Sequence, residues 1–287
     1  VSGVRVVAAY AVQESLRRRV FTVVLILTAV FLALYGWGAS LAFDEVTSFS
    51  GEGEPGNPVD AEVVAGSTIF GLAMFSTLFL GAVLAVFLTL SAVRGDAERG
   101  LLQPLVVRPV GRTQMLAGRF VAAAGVCAAY VGAVYVVAML ITGAVGGWWP
   151  DRVLAPGLAL AAAVVVIAAI ALLGSVFLSA TANGIGVFMV FGAGLAAGLL
   201  GQIGEALSSD RLEDIAEVAA WLLPFEALYQ SGLDGLTTDA RGFTGFAVQL
   251  GPFGGADEGG PLLWVWAVVY VGLIGLAARA GFARRDL

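Results

Sequence analysis

Residues 94–115 read RGDAERGLLQPLVVRPVGRTQM and hold four of the chain's fifteen arginines, while the segments on either side are apolar enough to lie in lipid. Working outward from this polar interruption decides the fold class. The chain has 287 residues, 59% of them hydrophobic and 13% charged, with a mean hydropathy of +0.93. Soluble domains hold a smaller apolar share, about 45–50%. The chain reads as an all-α polytopic membrane protein, a single transmembrane domain over residues 1–287.

Six runs are long enough to cross a bilayer, which takes about 20 apolar residues. They are Val20–Phe43, Gly66–Val93, Leu116–Val145, Leu154–Leu178, Ile185–Ile203 and Leu262–Gly281. The second exceeds what a ~30 Å core requires at 1.5 Å per residue, so it tilts or protrudes toward residue 94. SATANG, residues 179–184, forms the tight turn between the fourth and fifth runs. Gly194 and Gly198 in the fifth form a GxxxG pair, a pattern that lets helices approach closely. Ahead of the first run, residues 1–19 alternate apolar and charged positions at helical spacing. They fit an interfacial helix on the headgroups, with a plain extension of the first span as the alternative.

Residues 204–261 are the largest polar section. Within it Asp210 and Glu213 have capping-box spacing, and Leu212, Ile215, Ala219, Leu222 and Leu223 share one helical face. Pro224 stops that helix, and a second short helix over Phe225–Ser231 ends at Gly232.

Orientation follows from the charges. If residues 1–19, 94–119, 179–184 and 279–287 face the cytoplasm, twelve of fifteen arginines lie inside and 17 of the 21 acidic residues outside. Cytoplasmic segments carry the excess of basic residues. Both termini are therefore expected in the cytoplasm, residues 204–261 outside it, and the chain in the cell (inner) membrane as a multi-pass protein. Its expected surroundings are the lipid bilayer, and no nucleic-acid partner is expected; the net charge of −6 is an average over segregated charges.

Composition also removes whole classes of chemistry. All basic residues are Arg, there is no His, and Cys127 is the single cysteine. Without Lys there is no Walker A, Schiff-base or kinase lysine. Without His, and with one Cys, there is no usual zinc ligand set, no His-based triad and no internal disulfide. The six spans carry no Asp, Glu, Lys, Arg or His between their inner and outer ends, where ion-driven transporters keep a coupling residue. Ser76, Thr77, Thr89, Thr142 and Ser175 are the main polar groups there, and each is expected to hydrogen-bond back to its own helix. Energy for transport must then come from outside the bilayer.

Residues 94–115 are where it can enter. Asp96 is a candidate N-cap, and Leu101, Leu102, Leu105 and Val106 fall at spacings that form one apolar patch. A segment of 22 residues is too short to bury that patch alone. The patch needs either another subunit or the headgroup layer, and the physics does not choose between them.

RGDAERGLLQPLVVRPVGRTQMLAGRF resembles the loop after the second span of ABC-2 type permeases, the membrane subunits of ATP-binding-cassette exporters. The resembling positions are Glu98, Gly100, Leu101, Leu102, Arg108, Pro109, Val110 and Arg112, followed by Gly118 and Arg119. ESLRRRVF from Glu14, SATANG, and WLLPFEALYQ from Trp221 extend the likeness along the chain. Among subgroups it looks most similar to permeases like the one serving nitrous-oxide reductase maturation. Pro104 departs from the usual run of helix formers, which bears on the length of the docking helix and not on its place.

The resemblance implies the ABC-2 (type V exporter) fold and a subunit that is not itself an enzyme. It implies a coupling helix in which Asp96, Glu98, Arg99, Gly100, Leu101, Leu102, Arg108, Pro109 and Arg112 seat on a separate ATPase. It also implies pairing with a second copy or a related permease, and an outer gate at Leu222, Leu223, Pro224, Phe225 and Glu226. No cofactor is expected on this chain, ATP and magnesium residing on the ATPase; an accessory extracytoplasmic protein is a further expected partner. The alternatives are a passive channel or facilitator, and a membrane anchor or sensor whose outer section binds a ligand.

Overall fold

The structure is a computed structural model and describes residues 3–17, 19–49, 61–89, 111–237 and 259–283. Among these residues there are nine helices and no strand. They are α1 (Gly3–Arg17), α2 (Arg19–Phe49), α3 (Ala61–Thr89), α4 (Arg112–Gly146), α5 (Leu154–Phe177), α6 (Ala180–Leu207), α7 (Asp210–Leu222), α8 (Pro224–Asp234) and α9 (Pro261–Ala283). Six of them, α2 to α6 and α9, are long and apolar enough to cross a membrane.

The spans differ in detail from the hydropathy limits. α2 has 31 residues, so at 1.5 Å per residue it runs about 46 Å and carries Asp44 and Glu45 past the hydrocarbon. Most of SATANG is helical: α5 ends at Phe177 and α6 starts at Ala180. The tight turn is therefore Leu178 and Ser179. Asn183 closes it from within α6, its side-chain amide donating to the Ala171 carbonyl of α5 at 2.9 Å. At the other end of the bundle α4 stops at Gly147, whose φ of 69° suits a residue without Cβ and whose N–H caps the Gly143 carbonyl at 3.1 Å.

The core lies along α3 and α5. In each, 61% of the most apolar stretch is buried, against 11% in α9. Phe70, Met74 and Leu78 of α3 meet Leu160, Val164 and Ile167 of α5, all under 3% exposed. Close burial on this scale is worth roughly 1.5–3 kcal/mol per large side chain in water, but in lipid it stabilises through packing contacts rather than through escape from solvent. Cys127 is fully buried in the same cluster.

The first helix is a separate element. α1 packs along the beginning of α4, where Gly118 lets Val7 come so close that a Cβ would sit 2.7 Å from the Val7 Cβ. Val6 and Tyr10 remain exposed on its other side. The hydroxyl expectation holds: Ser76, Thr77, Thr89, Thr142 and Ser175 each donate to a carbonyl three or four residues back, at 2.7–2.9 Å.

Candidate functional site

Of the two groups of site residues read from the sequence, one falls largely outside the described residues. Asp96, Glu98, Arg99, Gly100, Leu101, Leu102, Arg108 and Pro109 lie there, and Arg112 is the first residue of α4. The second group, Leu222 to Glu226, is fully described and forms the turn of a helical hairpin.

That hairpin starts at the end of α6. Ser208 takes a φ of 49° and the Ser209 N–H reaches the Gly204 carbonyl at 2.8 Å, a closed helix terminus of the kind usually built on glycine. Ser209, not Asp210, is the cap of α7; its carbonyl accepts the N–H groups of Leu212 and Glu213, and its side chain makes no capping bond. The capping-box spacing of Asp210 and Glu213 is therefore not used, since the N-cap is Ser209 and its side chain makes no capping bond.

α7 then descends against α6 through a row of glycines. A Cβ on Gly204 would lie 3.0 Å from the Leu212 Cβ, and one on Gly201 3.1 Å from the Ala216 Cβ. Further down, a Cβ on Gly198 would strike the Glu226 carboxylate, and one on Gly194 the Phe225 ring. Gly194 is ten residues from Gly204, so the elbow at Leu223–Pro224 reaches about 15 Å down α6. The GxxxG pair makes room for side chains, and its partner is the hairpin, through Phe225 and Glu226.

From the elbow α8 rises again. Pro224 occupies its first turn, where the missing N–H costs nothing. Phe225, fully buried, stacks on Phe191 with centroids 5.8 Å apart and planes 13° apart. The helix does not stop at Gly232 as its sequence signal predicts. It continues to Asp234 because Gly232 fits against Met74 Cε and Ala159 Cβ, where a Cβ would come within 3.2 and 3.3 Å. α8 ends at the level of the α4–α5 connection, with Asp151 and Arg152 donating backbone N–H groups to Leu236 and Gly235 at 3.2 and 3.1 Å. Trp266 of α9 closes the elbow, its indole N–H donating to the Trp221 carbonyl at 3.0 Å.

The five residues expected at an outer gate are divided in their burial. Pro224, Phe225 and Glu226 point into the bundle, Leu223 is half-buried and Leu222 is 63% exposed. α7 turns Ala216 and Ala220 inward and leaves Ile215, Val218 and Leu222 exposed, so its large apolar residues face away from α6.

Polar groups gather at the elbow. Gln230 donates to the Glu226 carboxylate at 2.8 Å, and Glu226 is 6% exposed. Tyr229 is 3% exposed, and among the described residues its hydroxyl and the Gln230 side-chain oxygen have no hydrogen-bond partner. Burial pushes the Tyr229 hydroxyl well above its ordinary pKa and the Glu226 carboxylate adds to the shift, so it stays protonated.

The sequence matches the family described as ABC-2 family transporter protein over residues 5–287. The chain belongs to the ABC-2 transporter family. No curated protein matches it.

In this ABC-2 chain the hairpin adds a group that the spans do not hold. The spans hold no ionisable residue between their ends, yet the hairpin places the Glu226 carboxylate against Gly198, well inside the length of α6. A residue beyond the hydropathy runs thus brings a carboxylate beside a span. The available sequence signal was the glycine ladder Gly194, Gly198, Gly201 and Gly204, whose spacing of four, three and three residues marks one face of α6 as a seat. Tyr229 and Gln230 belong to the WLLPFEALYQ stretch, whereas Gln202 carries no signal of its own.

Proposed function

We propose that this chain is the permease subunit of an ATP-driven exporter in the cell membrane, with both termini cytoplasmic. Membership of the ABC-2 family over residues 5–287 carries that reading. Its physical support is a chain without Lys or His, and so without familiar means to hydrolyse nucleotide, joined to six apolar helices. ATP and magnesium belong to a separate ATPase subunit. Two permease chains, identical or related, pair so that the open apolar faces of α2, α6 and α9 are covered by lipid and by each other.

Work enters at residues 94–115. Asp96 opens the docking helix, Leu101 and Leu102 fill a groove on the ATPase, and Glu98, Arg99 and Arg108 fix its register, while Gly100, Pro109 and Arg112 shape the return to α4. α4 carries α1 against its first turns and packs on α2, α3 and α5, so a push at Arg112 moves a rigid unit. Residues 204–261 form the extracytoplasmic gate, and an accessory extracytoplasmic protein would engage it there. Within the family, the 94–119 sequence supports a subgroup similar to the permease of nitrous-oxide reductase maturation.

The test is replacement of Leu101 and Leu102 by Asp. The variant inserts in the membrane and no longer co-purifies with the ATPase. Normal complex formation would remove the coupling role from this loop and favour a channel or an anchor.

A further inference from the structure

We propose that the groove between α4 and α9 holds one anionic phospholipid, with its phosphate at Arg279 and one acyl chain lying over α5. Ala169 and Leu172 of α5 form the floor, Leu116 and Phe120 of α4 one wall, and Gly272 and Gly275 of α9 the other. The space is about 270 Å³. Thr113 stands at the start of α4 and Arg279 near the finish of α9, so both mark the same end of the groove. From Arg279 the groove follows α9 to Val271, about 12 Å at 1.5 Å per residue. One leaflet of a ~30 Å hydrocarbon core is about 15 Å deep.

The α9 wall is bare without any need of the protein's own packing. Gly272 and Gly275 are exposed, and a Cβ on either would meet nothing within 4 Å. On the same helix Gly281 is different, since a Cβ there would strike the Phe177 ring. What the two bare positions leave is room in the groove. A helix 10 Å across and 12 Å long occupies roughly 900 Å³. A neighbouring span would therefore bridge this groove and leave it empty, whereas a single hydrocarbon chain is thin enough to enter it.

The mouth selects the headgroup by charge. Arg279 is exposed, and no carboxylate is among the residues that line the groove. Beside it, α4 begins at Gly111 with no side-chain cap. The N–H groups of Gln114 and Met115 return to the Gly111 carbonyl at 2.9 and 3.1 Å, while those of Arg112 and Thr113 precede the first bond of the helix and find no acceptor within it. Phosphate oxygens accept from a guanidinium and from the N–H groups of a helix start alike. A choline head would bring a second cation to a mouth that is already positive. Basic pockets between spans take anionic lipid heads on this balance. The site requires only that the chain lie in a bilayer, and it goes beyond the permease reading without resting on an ATPase.

The experiment titrates dioleoyl-phosphatidylglycerol into the full chain in detergent and follows it by native mass spectrometry, with dioleoyl-phosphatidylcholine and inorganic phosphate as controls. One saturable phosphatidylglycerol adduct per chain is expected, several-fold tighter than phosphatidylcholine, and none with phosphate. Arg279→Gln should weaken the phosphatidylglycerol adduct about fivefold, the weight of one arginine at an anionic membrane surface, and leave phosphatidylcholine unchanged. Gly275→Leu fills the groove and should remove the adduct of both lipids. Should that variant not fold, as judged by gel filtration, Gly272→Leu serves instead. Equal affinity for the two lipids, phosphate bound as tightly as lipid, no saturable adduct, or an adduct unchanged in the folded leucine variants would overturn the site. So would a leucine variant that separates paired chains and keeps its lipid, since the groove would then be a contact between copies. A chain that binds the lipid but pairs with no ATPase would overturn the permease reading and leave the site intact. A chain that pairs with its ATPase and binds no lipid would do the reverse.

Discussion

Tyr35 of α2 and Thr142 of α4 meet hydroxyl to hydroxyl at 2.5 Å, and proton accounting fixes the direction of the bond. Thr142 has one hydroxyl hydrogen, and it goes to the Ala138 carbonyl at 2.9 Å. Tyr35 is therefore the donor. The arrangement recurs two turns away, where Thr28 donates to Val24 and accepts from Tyr130 at 2.5 Å. Two buried hydroxyl pairs thus fasten the sparsely covered α2 to α4.

Unequal costs follow when these pairs are cut from either side. Tyr35→Phe leaves Thr142 satisfied by its own helix and should cost about 0.6 kcal/mol, the usual worth of a hydrogen bond between membrane helices. Thr142→Val strands a buried phenol donor and should cost more, about 1–3 kcal/mol. Thermal unfolding in detergent measures both, and equal losses would contradict the assigned direction.

At Gly198 a side chain competes directly with the Glu226 carboxylate. Gly198→Leu should lift the elbow from α6 and lower stability by about 1–3 kcal/mol, as overpacking does. Quenching of Trp221 fluorescence by a soluble quencher should rise in the same variant. An unchanged melting curve together with unchanged quenching would show that α8 is not seated on the glycine ladder.

Ser208 holds a left-handed conformation, φ 49°, that glycine adopts without penalty. Ser208→Gly should therefore stabilise the chain by about 1 kcal/mol, read as a higher melting temperature. A lower melting temperature would mean that the serine hydroxyl supplies more than its backbone costs.

Orientation is open to labelling without prior removal of cysteine, because Cys127 is fully buried. A membrane-impermeant maleimide should leave the native chain unlabelled on intact cells. It should modify a cysteine placed at Arg241, and one placed at Arg284 only after permeabilisation. The opposite pattern would invert the topology drawn from the arginine count.

Much of the molecule is legible in one dimension. Every span is anticipated, with its described ends within six residues of the hydropathy limits; at the SATANG turn Asn183 reaches across from α6 to α5. The back-bonded hydroxyls are equally legible, since a serine or threonine in an apolar helix has nowhere nearer to donate. The second bond that Thr28 and Thr142 accept is not, because Tyr130 and Tyr35 stand 102 and 107 residues away. The elbow was half visible: Pro224 marks it, but Gly232 mimics a stop signal while in fact relieving a close contact with α3 and α5.

The order of residues alone determined that this chain lies in a membrane as six helices, because apolar length and charge placement are properties of local composition that any fold must respect. It also determined, by lacking Lys and His, which side chains the chain does not bring to any reaction. Only the tertiary structure decided that a short polar-looking segment turns inward and carries Glu226, Tyr229 and Gln230 to the side of α6. That outcome depends on the fit of a bare glycine face to one hairpin, and shape complementarity between distant segments leaves no periodic trace in the sequence.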